Sequence, residues 1–121
     1  MDPRSILIAD DDLDLVDALT RRCNALGLKV DVASNAMAAL SRIHEHRPAL
    51  VILDVNMPSG NGLGVCEMMA NHEELWSIPV IMLTGHCDPE TIRRCHAFSA
   101  YYVKKSADVW KHVEPLLHTL L

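Results

Sequence analysis

The stretch that decides the fold runs from residue 50 to residue 62 and reads Leu50-Val51-Ile52-Leu53-Asp54-Val55-Asn56-Met57-Pro58-Ser59-Gly60-Asn61-Gly62. It opens with an unbroken apolar run, which is typical of a strand buried on both faces of a parallel sheet. The run ends in a carboxylate, Asp54, and a loop with one proline and two glycines follows. Because open α/β sheets place their chemistry at the carboxyl ends of strands, Asp54 is a candidate functional residue.

The composition indicates a single domain with its own core. The chain has 121 residues, 50% of them hydrophobic, and a formal net charge of −5 at pH 7. It contains no block of Lys or Arg, which argues against direct binding to nucleic acid or to an anionic membrane. No signal peptide or membrane span is recognisable, so we expect a cytoplasmic protein. The four cysteines lack C-x-x-C spacing, so we expect buried, reduced thiols.

Strand-like runs and helical periodicity alternate along the chain. Strands are predicted at 5–9, 28–33, 50–54, 80–83 and 101–103, and a helix follows each of them. Gly27 and Pro48 end the first two helices, and Asp88 with Pro89 starts the fourth. Right-handed crossovers fold such a (βα)5 pattern into a doubly wound α/β sheet, with the flavodoxin-like strand order 2-1-3-4-5.

Polar groups stand at the ends of the predicted strands. Asp10 and Asp11 follow the first strand, which neighbours the third in this strand order and so brings them next to Asp54. Thr84 follows the fourth strand, and Lys104 ends the fifth. Three adjacent carboxylates repel one another and favour a bound cation, for which Mg²⁺ with its oxygen ligands is the simplest choice. Asp54 would then attack phosphorus, while the amine and the hydroxyl stabilise the phosphoryl oxygens.

Four motifs carry these residues, and together they resemble the receiver domain of response regulators, the CheY-like module of two-component signalling. The motifs are Ile-Leu-Ile-Ala-Asp-Asp-Asp at 6–12, Asp-Val-Asn-Met-Pro at 54–58, Met-Leu-Thr-Gly at 82–85 and Tyr-Tyr-Val-Lys at 101–104. Each motif is weak alone, but four in the right order on the right strands are specific. The resemblance covers essentially the whole chain, 1–121.

The resemblance implies a role for each acidic residue. Asp54 is the phosphoacceptor, Asp11 a direct Mg²⁺ ligand and Asp10 a ligand through water. The backbone carbonyl of Asn56 is a further Mg²⁺ ligand. The phosphoryl donor would be a sensor histidine kinase or a phosphotransfer protein. Such a protein is a signalling module and not an enzyme in the usual sense, although it assists its own phosphorylation and dephosphorylation.

The resemblance also implies a conformational switch. Lys104 pairs with the phosphoryl oxygens, and Thr84 and Tyr101 form the switch pair. In the family, the threonine hydroxyl moves to the new phosphoryl group and the aromatic ring turns inward. This reshapes the surface of the fourth helix, fifth strand and fifth helix, which would control a downstream protein or output domain and is a possible dimer face.

The chain departs from the family pattern at its fifth strand. The family usually has a proline after the strand-five lysine, whereas Lys105 follows here and puts a second amine near the site. In the family, the positions two beyond the phosphoacceptor and two beyond the switch threonine tune hydrolysis, and these are Asn56 and His86. We expect His86 to influence the access of water to the phosphoryl group. A His86→Ala variant that loses its phosphoryl group at the parental rate would contradict this role.

Two other functions are compatible with the acidic cluster. A small Mg²⁺-dependent phosphohydrolase resembling the haloacid dehalogenase group would use Asp10 as nucleophile and Asp12 as acid/base. Such enzymes are longer and carry a cap over the substrate, for which no segment is visible here. A receiver-like interaction module that works without phosphorylation is the other alternative, but this chain keeps every acid that such a module would be expected to lose.

Overall fold

A five-stranded parallel sheet organises the chain in the computed structural model, which describes residues 2–57, 60–85 and 88–121. The strands are β1 (Ser5–Ala9), β2 (Lys29–Ala33), β3 (Leu50–Asp54), β4 (Asn56–Met57), β5 (Gly60–Asn61), β6 (Val80–Thr84) and β7 (Tyr101–Lys104). The main sheet has the order β2-β1-β3-β6-β7, which confirms the predicted topology with β6 and β7 as the fourth and fifth strands. The sequence did not predict the small antiparallel β4-β5 pair.

Five helices alternate with the strands of the main sheet. They are α1 (Leu13–Ala25), α2 (Ala36–His46), α3 (Gly62–Ala70), α4 (Pro89–Ala97) and α5 (Val109–Leu120). The first four begin at a side chain that accepts a hydrogen bond from the backbone N–H three residues on, and these caps are Asp12, Asn35, Asn61 and Asp88. Within the described ranges, no helix is long and apolar enough to cross a membrane.

Alternation of side chains along the strands creates two hydrophobic cores, one on each face of the sheet. Leu7, Val51 and Met82 point into the first core, where they meet residues of α2, α3 and α4. Ile8 and Ile52 point into the second core, which α1 and α5 cover. Every residue of β3 is buried, as the apolar run predicted. The sheet is therefore doubly wound.

The cysteines of the described residues match the prediction of reduced, buried thiols. Cys23, Cys66 and Cys95 are all free and buried. Burial raises the pKa of Cys23 to about 11 and that of Cys66 to about 12. Cys87 lies outside the described residues.

Candidate functional site

Three carboxylates lie together at the carboxyl end of the sheet. Ala9 of β1 pairs with Leu53 of β3, so the residues that follow in each chain segment are neighbours. Asp10 and Asp54 are buried, with 1% and 3% of their surfaces exposed. One oxygen of each, together with one oxygen of the exposed Asp11, forms a group whose members all lie within 4.8 Å of one another. The strand order alone predicted this grouping.

Backbone amides hold one oxygen of each buried carboxylate. The N–H of Asp12 donates to Asp10 Oδ1 at 2.9 Å, and the N–H of Asn56 donates to Asp54 Oδ1 at 3.2 Å. The other two oxygens face a common cation, because Lys105 Nζ lies 2.9 Å from Asp10 Oδ2 and 3.1 Å from Asp54 Oδ2. The two acids are therefore fixed in orientation, with one oxygen each turned toward the centre of the site.

Burial and the charges of neighbouring groups shift the pKa values of Asp54 and Lys105. The pKa of Asp54 is raised from 3.8 to about 6, first because burial disfavours its charge and second because Asp10 is close, while Lys105 opposes the rise. For Lys105, burial acts to lower the pKa, but the two carboxylates outweigh it and the net pKa is raised. At neutral pH, Asp54 is therefore mainly ionised and Lys105 is charged.

The cluster has the donor set that Mg²⁺ prefers. Asp10 Oδ2 is buried and, within the described part of the chain, no well-directed hydrogen-bond donor reaches it, although the Lys105 ammonium is near. A buried carboxylate oxygen left in this state is stabilised by a metal ion, and Asp11 and Asp54 offer further oxygens beside it. The residues present therefore fit a hard divalent cation.

The structure places Lys105, and not the predicted Lys104, beside the two buried carboxylates. Lys104 ends β7 with an exposed side chain, and among the described residues it forms no ion pair with the acids. Lys105 continues the ladder past β7, since its N–H donates to the Thr84 carbonyl at 2.8 Å. Successive side chains of an extended segment leave on opposite sides, so only one of the two amines turns toward the carboxylates. The sequence shows two consecutive lysines at this strand end, but it does not reveal which of the two side chains lies beside the carboxylates.

The remaining predicted residues are placed as follows. Thr84 ends β6 and is buried, with 2% of its surface exposed, while Tyr101 begins β7 and is 43% exposed. Asn56 begins β4 two residues beyond Asp54 and is exposed. Asp12 serves as the cap of α1, where it accepts a hydrogen bond from Leu15 N at 3.2 Å. The prediction for His86 falls outside the described residues.

Gly62 is a residue of the site that sequence reasoning missed. A Cβ atom at this position would lie 2.1 Å from the backbone oxygen of Asp54 and 2.9 Å from its carbonyl carbon. The N–H of Gly62 also donates to the carbonyl of Val55 at 3.0 Å. Glycine therefore allows α3 to start directly against the backbone that carries Asp54. Nothing in the sequence distinguishes this glycine from a simple turn residue.

Comparison with known proteins supports the resemblance to receiver domains that the four sequence motifs carry. The response regulator receiver domain family matches residues 6–113 of this chain. The polar-differentiation response regulator DivK of Brucella anthropi is 30% identical over 119 residues, which cover 94% of each chain. The crystal structure of the response regulator TrrA from Thermotoga maritima in complex with Mg²⁺-BeF superimposes with a TM-score of 0.85 at 26% identity, covering 98% of this chain and 99% of that one.

The chain belongs to the response regulator receiver domain family. It is thus a receiver domain of the two-component type, a signalling module whose family works with histidine kinases and output domains. Other relatives are larger. The probable transcriptional regulator ycf27 of Galdieria sulphuraria is 40% identical over 80 residues, which are 66% of this chain but 30% of that protein.

Proposed function

We propose that this chain accepts a phosphoryl group from a histidine kinase or phosphotransfer protein onto Asp54, in a reaction that requires Mg²⁺. One observation carries the proposal. Asp54 is buried at the end of β3, with two further carboxylate oxygens within 4.8 Å and a lysine ammonium 3.1 Å from its Oδ2. A carboxylate that only capped a helix or formed a turn would not need this surrounding group of charges.

The proposed reaction forms one bond and breaks one. An Asp54 carboxylate oxygen bonds to phosphorus, while the bond from phosphorus to the donor histidine nitrogen breaks and the nitrogen keeps the electron pair. The Asn56 N–H orients the attacking carboxylate through Oδ1. Bound by Asp10, Asp11, Asp54 and the Asn56 carbonyl, Mg²⁺ would supply positive charge to the phosphoryl oxygens. A lysine of the Lys104–Lys105 pair adds a second positive charge.

Phosphorylation would act as a switch through charge. The new group adds a charge of about −1.5 to −2 and three acceptor oxygens in a site that is already acidic. Thr84, at the adjacent strand end, would donate its hydroxyl to the phosphoryl group, and Tyr101, exposed before phosphorylation, would turn inward. The altered face of α4, β7 and α5 would bind a downstream protein or output domain, or a second copy of the chain, in the cytoplasm.

The test is phosphorylation by a small donor. The parent and Asp54→Asn are incubated with acetyl phosphate and Mg²⁺, and intact mass is followed. We expect the parent to gain one phosphoryl group, Asp54→Asn to gain none, and a chelator to abolish the gain. Removing the nucleophilic oxygen while keeping the shape of the side chain isolates the chemistry of Asp54 from its packing.

Each alternative function has its own result in this experiment. Label retained by Asp54→Asn would move the nucleophile elsewhere, with Asp10 the first residue to test, and would favour a phosphohydrolase. No label in the parent despite measurable Mg²⁺ binding would favour an interaction module that works without phosphorylation. Against the phosphohydrolase, Asp12 has one carboxylate oxygen committed to capping α1.

A further inference from the structure

We propose that His44 and His72 form a second metal site, which binds a transition-metal ion such as Zn²⁺ and is separate from the acid cluster. The two imidazole rings come from different parts of the chain, since His44 lies in the last turn of α2 and His72 lies in the connection between α3 and β6. Their ring centres are 5.1 Å apart, and their planes are inclined at 73°. Because the two histidines are distant in the chain, no spacing in the sequence indicates the pair.

The distance between the rings matches coordination of one ion by both. Zinc binds imidazole nitrogen at about 2.0–2.1 Å, so two imidazoles at tetrahedral positions on one ion have their ring centres roughly 5 Å apart. In the metal-free contact the edge of one ring meets the face of the other. His44 is exposed and His72 is half-buried, so rotation of the side chains can turn one nitrogen of each ring to a common point. The backbone needs little movement.

One nitrogen of His72 already has a hydrogen-bond partner. The N–H of Glu74 donates to His72 Nδ1 at 3.1 Å, which places the proton of the neutral ring on Nε2. A metal ion either takes the lone pair of Nδ1 from this N–H, or binds Nε2 once the proton has moved to Nδ1. Both routes break the hydrogen bond, so the backbone amide of Glu74 reports whether the site is occupied.

The charges around the pair favour a cation. His44 lies at the end of α2 where the helix carbonyls carry partial negative charge. Arg47, which follows this helix, forms an ion pair with Glu74, so its positive charge is largely balanced. The exposed carboxylates of Glu45 and Glu73 stand next to the two histidines in the sequence and add negative charge.

This pair differs from the acid cluster in place and in chemistry. Helix α2 runs from the carboxyl end of β2 to the amino end of β3, so its last turn lies at the opposite end of the sheet from Asp54. Within the described ranges, Asp10, Asp11 and Asp54 are the only group of three or more His, Cys, Asp or Glu side chains placed to hold a metal, so water completes the coordination at the histidines. Imidazole suits zinc and copper, whereas Mg²⁺ takes oxygen ligands. A bound ion would tie α2 to the connection that leads into β6.

The test is a calorimetric titration with Zn²⁺ in excess Mg²⁺, which competes for the carboxylates. We expect the parent to bind one Zn²⁺, and His44→Ala and His72→Ala each to bind it at least about tenfold more weakly. The matched control is His46→Ala, which removes another exposed histidine of the same helix turn and should stay within about twofold of the parent. Because His44 is exposed, its replacement should leave the fold intact, and urea unfolding without Zn²⁺ checks this.

Amide NMR spectra give a second measurement. At a Zn²⁺ concentration that saturates the parent, the Glu74 resonance should shift in the parent and stay in place in His44→Ala. If His46→Ala loses as much affinity as His44→Ala, or if resonances beside the exposed His112 and His118 shift together with Glu74, the histidines bind an adventitious ion only and the proposal is overturned. Absence of saturable Zn²⁺ binding in the parent overturns it as well. These results do not depend on phosphorylation, so this inference and the proposed function are tested separately.

Discussion

Asp54 lowers the stability of the native state at neutral pH, although it is the residue for which we propose phosphorylation. It is buried at 3% exposure beside the carboxylate of Asp10, and these two effects raise its pKa to about 6. The native state therefore holds the Asp54 proton more tightly than the unfolded chain does, for which the ordinary value is 3.8. As pH rises from below 4 to above 6, the native state loses stability relative to the unfolded state, and the penalty is fully present at neutral pH.

Replacing Asp54 by Asn should therefore stabilise the metal-free protein at neutral pH. The amide is neutral at every pH and avoids the cost of burying a charge next to Asp10. In chelator at about pH 7.5 we expect the free energy of unfolding to rise by roughly 1–3 kcal/mol, from a pKa shift of about two units. At about pH 4 the gain should nearly vanish, since the native carboxyl is then protonated. Urea unfolding at the two pH values measures the difference.

Asp14→Asn is the matched control, because Asp14 is an exposed carboxylate on α1. It should show no comparable dependence on pH. A stabilisation of Asp54→Asn that is equal at both pH values would contradict the electrostatic explanation, and would point instead to better packing of the amide.

At the level of elements, the connection between β3 and α3 determines the geometry of the acid cluster. After Asp54 the chain makes the small β4-β5 pair and returns to start α3 at Gly62. The Gly62 N–H donates to the Val55 carbonyl at 3.0 Å, and Asn61 caps the helix by accepting from Gly64 N at 2.8 Å. The helix start is thus attached to the backbone next to Asp54, with no room for a side chain between them.

Gly62→Ala should disturb both stability and the site. Its Cβ would lie 2.1 Å from the Asp54 carbonyl oxygen, so the backbone of β3 or the start of α3 must move. We expect a loss of roughly 1–3 kcal/mol in the free energy of unfolding, as for overpacked cores. Phosphoryl uptake should also slow, since Asp54 moves with its backbone.

Gly64→Ala offers a control two residues away in the same helix. The nearest atom to a Cβ there is Asn61 Oδ1 at 3.6 Å, an ordinary contact. Alanine should therefore be neutral or stabilise α3 by up to about 1 kcal/mol. Denaturant unfolding of the two variants decides the matter, and equal losses in both would show that the close approach at Gly62 is not the cause.

At the scale of the whole molecule, the site joins the ends of four strands. Asp10 follows β1, Asp54 ends β3, Thr84 ends β6, and Lys105 follows β7. Both cores lie against these strands, so unfolding the sheet disperses the charges of the site. A ligand that binds the assembled cluster must therefore stabilise the entire domain through mass action.

Addition of Mg²⁺ should raise the stability of the whole domain. At a concentration of about 100 times its dissociation constant, a ligand that binds only the native state adds about 2.7 kcal/mol to the free energy of unfolding. Asp11→Asn removes one carboxylate from the cluster but is exposed, so it should reduce this gain while leaving the metal-free stability nearly unchanged. Thermal unfolding with Mg²⁺ or with a monovalent salt of equal ionic strength measures the effect. An equal gain in parent and variant would contradict a site at these acids.

In helix α5, the periodicity of apolar residues predicts the helix itself but not which of its faces is buried. The sequence places Val109, Val113, Leu116 and Leu120 on an inward face, and it leaves open whether the adjoining face of Trp110, Leu117 and Leu121 is core or a partner surface. In the structure the buried residues are Val109, Val113 and Leu117. Leu116 and Leu120 are only partly buried at the edge of the second core. Both stripes satisfy a helical period, and contact with the sheet selects between them. The presence of the helix was thus predictable, and its rotation about its axis was not.

The sequence by itself determined the five strands of the main sheet, their order, the start of α4 at Asp88 and the grouping of Asp10, Asp11 and Asp54. These features depend on local patterns and on the rule that parallel strands end at one edge of a sheet. Only the tertiary structure decided that Lys105 enters the site in place of Lys104, and that Gly62 is needed beside Asp54. Those outcomes depend on which side of a strand end a side chain leaves and on how closely two segments approach. Residues distant in the chain fix both, so no local pattern encodes them.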